Sequence, residues 1–276
     1  MVVDTDCGID DALALLYLAG RRAEGELCAV TTVHGNAPVD AVVANAGHVL
    51  GLAGRADVPD AVGAAGPLGG APLRTAPGTH GADGLGDVVA ARTPPRVVVD
   101  APAAEYLAGL ARDRPGHYDL LTLGPLTNVA LALDLEPALL TLFRSVVVMG
   151  GPGPDETNVR RDPEAAGRVL RAPAPAGRLT VVGVDVTATV VVGDDAVRRL
   201  RAAGREPAGF AAALVERYRS IRERTVTPVH DVLAAALLLR PDWITASRPG
   251  PPVVVTDVDR VAFLAGFLDT LTMDFG

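Results

Sequence analysis

The stretch Val2-Val3-Asp4-Thr5-Asp6-Cys7-Gly8-Ile9-Asp10-Asp11-Ala12-Leu13 decides the fold. Two valines begin a buried strand, Asp-x-Asp ends it, and Gly8 turns the chain. Two further aspartates then open a helix whose apolar face is Ala12, Leu15, Leu16 and Ala19. Outward from this unit the same alternation continues. Short valine-rich runs at Leu27–Val33, Val97–Val99, Leu120–Leu123, Val146–Met149, Leu179–Val184 and Val253–Val255 read as buried strands. Their near-continuous apolar character fits a parallel sheet covered on both sides. Helical patterns lie between them at Asp10–Ala23, Val39–Leu52, Ala103–Arg112, Leu126–Leu133 and Pro163–Leu170. A later helical block, Asp194–Leu239, breaks at Gly204 and at Thr227-Pro228. The reading is an α/β chain: an open, doubly wound, mostly parallel sheet with helices on both faces, Rossmann-like, forming a single domain over 1–276. Loops are expected to be flexible near 63–87, where glycine and proline crowd, and near 204–229.

Four carboxylates, those of Asp4, Asp6, Asp10 and Asp11, gather within one turn at the end of the first strand. Two like charges about 4 Å apart cost roughly 4 kcal/mol at an effective dielectric of 20. Ionising the group therefore needs a cation or a strong set of donors. Taken singly, Asp10 or Asp11 reads as a helix cap; the set with Asp6 reads as a metal site.

Composition narrows the chemistry. The chain has 276 residues and a formal net charge of −8, and all 25 basic residues are arginine. Without lysine there is no Schiff base, P-loop lysine or lysine general base. The acidic balance argues against nucleic acid or an anionic membrane as partner, and no apolar run reaches the roughly 20 residues that span a bilayer. Cys7 and Cys28 are too few for a disulfide scaffold, and the first residues lack a leader pattern. A cytoplasmic protein is expected.

In an open α/β sheet ligands bind beyond the carboxyl ends of the strands, so the residues there matter most. They are Thr31-Thr32-Val33-His34-Gly35-Asn36, Leu123-Gly124-Pro125-Leu126-Thr127-Asn128 and Met149-Gly150-Gly151, followed by Glu156, Asn158 and Asp162-Pro163-Glu164. His230-Asp231 opens the last apolar helix of the block. Singly, Asp231 reads as a cap, His230 as a partly buried histidine, and Asn36 and Asn158 as turn formers.

Together, from Asp4 through the helix after His230, these motifs resemble the inosine–uridine-preferring nucleoside hydrolase family. The matching series is Asp-Thr-Asp-x-Gly-Ile-Asp-Asp-Ala, Gly-Asn, Gly-Pro-Leu-Thr-Asn-x-Ala, Met-Gly-Gly, Asn-x-x-x-Asp-Pro-Glu-Ala-Ala and His-Asp, with Gly81–Asp87 as a glycine-rich flap. The resemblance implies calcium-dependent hydrolysis of a ribonucleoside's N-glycosidic bond. It places calcium on Asp6, Asp11, Asp231 and the carbonyl of Leu123, and oxygen-only donors favour calcium over zinc. It implies sugar contacts from Asp10, Asn36, Met149, Glu156 and Asn158, with His80, Tyr218 and Arg222 also in the substrate site. Asp6 would take the proton of the attacking water. His230, whose ordinary pKa lies near neutrality, would assist the departing base, with Tyr218 and Arg222, one helical turn apart, as alternatives. A homodimer or homotetramer is implied as well.

The chain departs from the family pattern in places. Cys7 and Val232 stand where proline is frequent, and Thr157 stands where an aromatic is common. The 150–158 segment lacks an additional Gly-Asn, so the 5′ end of the sugar is expected to be read differently. Two other readings stay open. One is a catalytically silent calcium- and ribose-binding protein. The other is a haloacid-dehalogenase-like phosphatase with Asp4 as nucleophile, which usually wants a downstream lysine that this chain lacks.

Overall fold

Valine-rich segments pair side by side into a large sheet, with helices stacked on both of its faces. The computed structural model describes residues 1–89, 97–151, 153 and 156–275. The strands are β1 (Val2–Thr5), β2 (Ala29–Thr32), β3 (Pro59–Val62), β4 (Val97–Val98), β5 (Asp119–Thr122), β6 (Ser145–Met149) and β7 (Leu179–Val182). They continue with β8 (Val191–Val192), β9 (Thr227–Pro228), β10 (Ile244–Arg248) and β11 (Val253–Val258). The helices of the first half are α1 (Ile9–Gly20), α2 (Val39–Leu52), α3 (Pro77–His80), α4 (Ala103–Asp113), α5 (Thr127–Leu135) and α6 (Leu139–Leu142). Those of the second half are α7 (Thr157–Arg161), α8 (Pro163–Leu170), α9 (Val184–Thr187), α10 (Asp194–Ala202), α11 (Glu206–Arg222), α12 (His230–Leu239) and α13 (Arg260–Thr272).

The main sheet runs β10-β11-β7-β6-β5-β1-β2-β3-β4, and β8 pairs with β9 apart from it. Within the described residues every pairing in the main sheet is parallel except β10 with β11. From β1 the chain winds outward through β2, β3 and β4, then returns to β5 on the other flank. The loops after β1 and β5 therefore diverge, leaving the crevice that such a switch in strand order opens.

Successive strand residues face opposite sides, so each strand feeds two cores. Val3, Val30, Leu121 and Val147 pack with α1, α2, α11, α12 and α13. Val2, Ala29, Leu120, Val146 and Val148 pack with α4, α5, α6 and α8. Helix α1 departs from the one-sided pattern read in the sequence: Ile9 and the whole run Asp11–Ala19 are buried. An element apolar all round is an interior helix, and each of its fully buried leucines contributes about 1.5–3 kcal/mol. It packs against α12, whose run Ala234-Ala235-Ala236 lets the two backbones approach closely. That pairing brings the first turns of both helices, with their aspartates, to one place.

Helix ends fall within a few residues of the expected ones. The helical block is there, broken near Gly204 and Thr227-Pro228, whereas the loop expected near 204–229 is corrected: Glu206–Arg222 within it is helix α11. Gly63–Asp87 is irregular apart from β-free turns, one 3₁₀ turn at Leu68–Gly70 and α3. Strand β3 escapes a sequence reading because Pro59-Asp60 looks like a turn; proline is tolerated at a strand's first residue. Helix α13 and the exposed edge strand β10 were not anticipated either. Among the described residues no helix is long and apolar enough to cross a membrane.

Buried polar groups join the layers. Asp4 accepts from Thr31 Oγ1 at 2.6 Å and from Asn128 Nδ2 at 2.7 Å. Asn128 also donates to the Thr32 carbonyl at 2.9 Å and accepts the Ala64 N–H at 2.9 Å. Nearby, His34 meets Thr127 Oγ1 at 3.0 Å, and Thr127 donates to Asp162 at 2.7 Å. Asp162 caps α8 through the Ala165 N–H and accepts the Leu68 N–H. Asp4, His34, Thr127 and Asn128 thus clamp β1, β2 and α5 together rather than serve the crevice. Removing a partner from a buried polar group costs the desolvation of what is left. Asn128→Ala is expected to destabilise the fold by about 2–4 kcal/mol, read as a lower urea midpoint with unchanged slope.

Candidate active site

At the mouth of the switch point, carboxylate oxygens of Asp10, Asp11 and Asp231 lie within 4.8 Å of one another. Asp10 and Asp11 open α1, and Asp231 is the second residue of α12. The N-terminal ends of both helices, where unpaired N–H groups concentrate, thus meet the negative charges. Residues 220 positions apart in the sequence come together only because α1 packs on α12.

Asp11 is held by Thr5 Oγ1 at 2.5 Å, the Gly8 N–H at 2.9 Å and Asn36 Nδ2 at 3.1 Å. Asp6 stands beside the trio without belonging to it. It accepts the Asn36 N–H at 2.9 Å, Asn36 Nδ2 at 3.0 Å and Arg161 at 2.6 Å. Asp4, expected as a fourth member, turns away into the sheet as described above. The close approach explains two glycines: a Cβ on Gly35 would sit 2.0 Å from Asp6 Oδ2, and one on Gly8 2.4 Å from Asn36 Nδ2.

Charge crowding shows in the proton affinities. Burial, then the neighbouring Asp11, raises Asp10 from 3.8 to about 7. Burial and the same neighbour push Asp6 well above the usual carboxylate range, against the pull of Arg161. Asp231 is raised likewise by burial and then by Asp10 and Asp11. Ionised carboxylates only accept hydrogen bonds, so oxygens this close need a proton or a cation between them. The donors are all oxygen and the charge is strongly negative, a set that suits a hard divalent cation.

The crevice beside the trio is a cleft of about 230 Å³. Of the residues singled out in the sequence, Asp10, Asn36, His80, Leu123, Met149, Glu156, Asn158, Tyr218, Arg222, His230 and Asp231 line it. Asp6 and Asp11 lie behind this lining, fully buried. The Leu123 carbonyl accepts Asn158 Nδ2 at 2.7 Å, and Glu156 accepts the Val184 N–H at 2.8 Å. Burial raises Glu156 above its ordinary value. Tyr218 and Arg222 share one face of α11, while Arg217 on the same helix binds the Gly86 carbonyl at 2.6 Å and so ties down the turn that follows His80. Pro152, Pro154 and Asp155, part of the shortened segment, lie outside the described residues.

Both histidines depart from the expectation of a near-neutral titration. His80 Nδ1 accepts the Ile9 N–H at 3.0 Å, which places its proton on Nε2, and burial lowers it to about 3. His230 Nδ1 meets Thr187 Oγ1 at 2.7 Å, and burial lowers it to about 4. At pH 7 each ring is uncharged. The role expected of His230 as a group titrating near neutrality is therefore corrected to that of a neutral ring.

Among the residues that sequence reasoning missed, Thr5, Thr187 and Arg161 hold side chains of the site. Thr5 looked like a strand residue between two aspartates, and Thr187 falls in a four-residue helix without a motif. Arg161, in the pair Arg160-Arg161, belongs to none of the motifs read above. The signal that places it is spacing: it lies three residues after Asn158 and shares that face of α7.

Comparison with known proteins gives the family and the fold. The family model for inosine-uridine preferring nucleoside hydrolase matches residues 1–263. The inosine-uridine preferring nucleoside hydrolase of Leishmania major is 35% identical over 262 residues, covering 90% of this chain and 81% of its own. Uridine nucleosidase 1 of Arabidopsis thaliana is 34% identical over 260 residues, covering 90% and 76%. Among solved structures, a purine-preferring ribonucleoside hydrolase from Gardnerella vaginalis superposes with a TM-score of 0.91 at 24% identity, covering 98% and 97%. A plant nucleoside hydrolase gives 0.88 at 26% identity, covering 98% of each chain. The chain belongs to the inosine-uridine preferring nucleoside hydrolase family, enzymes that hydrolyse N-glycosyl bonds. The phosphatase reading is thereby set aside.

The proton affinities set the sign of a pH dependence. The raised aspartates hold protons in the folded chain that the unfolded chain has already released, so their stabilisation disappears as pH rises through the folded values. The buried histidines, His34 and His230 lowered from 6.5 to about 4 and His80 to about 3, work in the opposite sense, and that opposition fades as pH rises past 6.5. Towards pH 8 the raised aspartates dominate. Metal-free protein is expected to lose stability between pH 6.5 and 8, by about 1.4 kcal/mol per group per pH unit at most. Scanning calorimetry checks this; a melting temperature that rises over that interval contradicts the assignment.

Proposed function

We propose that this protein catalyses calcium-dependent hydrolysis of the N-glycosidic bond of ribonucleosides, releasing ribose and free base. The observation that carries the reading is the meeting of Asp10, Asp11 and Asp231 at the wall of a cleft lined by amide, carboxylate and imidazole groups. Relatives named for uridine and for inosine support ribonucleosides as the substrate class. A cytoplasmic homodimer or homotetramer belongs to the same proposal, on the strength of the family resemblance.

The ion would be held by Asp6, Asp11, Asp231 and the Leu123 carbonyl, with Asp10 alongside. A calcium ion, when bound, supplies positive charge that grips a vicinal diol and favours loss of a proton from water. Asp10 accepts the 2′-hydroxyl proton in a hydrogen bond, while Asn36, Glu156 and Asn158 engage the remaining sugar hydroxyls above Met149. As the base departs, positive charge develops on the sugar, and the surrounding carboxylates stabilise it. Asp6, whose raised proton affinity suits a base, takes the proton of the attacking water. The departing base needs a donor, which a neutral ring N–H of His230 or His80 supplies, with Tyr218 and Arg222 as further donors on α11.

Incubation with inosine, uridine and cytidine tests the reading: free reducing sugar appears, chelation abolishes it, and calcium restores it. Tight binding without sugar release would establish the silent binder instead. Asp6→Asn is expected to lower turnover by roughly 10³-fold with the circular dichroism spectrum retained. For His230→Ala the defect is expected to be larger on nucleosides with poor leaving bases than on an activated aryl riboside; equal defects refute leaving-group assistance.

A further inference from the structure

Arg161 reaches into the acidic pocket, and its side chain is only 6% exposed. The guanidinium donates to Asp6 Oδ2 at 2.6 Å, to Asn36 Oδ1 at 2.7 Å and, more weakly, to Asn158 Oδ1 at 3.4 Å. All three partners are residues assigned above to the ion or the sugar. The position is built: Asp162, the next residue, is anchored by Thr127 Oγ1, the Leu68 N–H and the Ala165 N–H, which directs α7 and its last side chain inward. A buried guanidinium persists only when paired, and its planar fork here spans two partners at short distance. With Arg161 on Oδ1 and Nδ2 donating to Asp6 and Asp11, both donors of the Asn36 amide are taken up within the protein, while Oδ1 keeps a second lone pair.

We propose that Arg161 is a resident counter-cation of the site, occupying Asp6, Asn36 and Asn158 in the metal-free protein and competing with a divalent ion for Asp6. The inference rests on the calcium reading given above. A fixed positive charge in contact with one carboxylate opposes a second cation on that carboxylate, and the competition weakens metal binding by the strength of the pair. Arg161 in this role is a positioning residue. It holds Asp6 in place until the ion arrives, and then gives up that contact.

Calorimetric titration of calcium into metal-stripped protein tests this without reference to turnover. Arg161→Met, which preserves much of the side-chain length, is expected to bind calcium at least tenfold more tightly than the wild type. Equal or weaker affinity in the variant overturns the proposal while leaving the calcium reading standing. Absence of calcium binding from both proteins overturns both. In the wild type, the Nε–H resonance of Arg161, identified by its loss in Arg161→Lys, is expected to shift or broaden as calcium saturates the site. A resonance unchanged at saturation overturns the proposal even if Arg161→Met does not fold.

Discussion

Like charges confined in a dry place are the constraint around which this molecule is arranged. Asp6, Asp10, Asp11 and Asp231 are drawn together at the wall of the cleft, largely out of water, and their neighbours answer that repulsion. Two helices point their N-terminal ends at the cluster, so that backbone dipoles oppose the charge. Thr5, the Gly8 N–H and Asn36 donate to Asp11, and Arg161 donates to Asp6. What these donors leave uncompensated is held as protons, or exchanged for a cation. Hydrophobic packing of α1 on α12 is what keeps the carboxylates from separating.

The same burial that raises the aspartates lowers the histidines, since a low-dielectric environment penalises whichever form is charged. The pocket thus collects neutral imidazoles opposite crowded carboxylates. His80 has its tautomer set by a backbone N–H of the helix that carries Asp10 and Asp11. Donation to a departing base from a neutral ring differs from donation by an imidazolium: the hydrogen bond strengthens as charge builds, without a proton stored beforehand.

Beneath the pocket a second polar layer does a different job. Asp4, Asn128 and Thr31 on one side, and His34, Thr127 and Asp162 on the other, bond to one another within the sheet. Their motifs stand out in the sequence as strongly as those of the pocket, yet they act by holding strand ends in register. Asp162 links the two layers, because its anchoring of the chain after α7 is what sends Arg161 inward. A polar residue at a strand end therefore reads equally well as chemistry or as scaffold until its partners are known.

From the sequence alone, periodicity and turn residues determined the parallel sheet, the interleaved helices and the gathering of Asp6, Asp10 and Asp11, because strand, glycine turn and helix start are local events within one short stretch. The ordered motifs named the family for the same reason, each being a contiguous run. Only the tertiary structure decided that Asp231 joins Asp10 and Asp11, since that depends on α12 lying against α1. It alone turned Asp4 into the sheet, swung Arg161 onto Asp6 and made both histidines neutral. Those outcomes depend on burial and on partners distant along the chain, which no local pattern records.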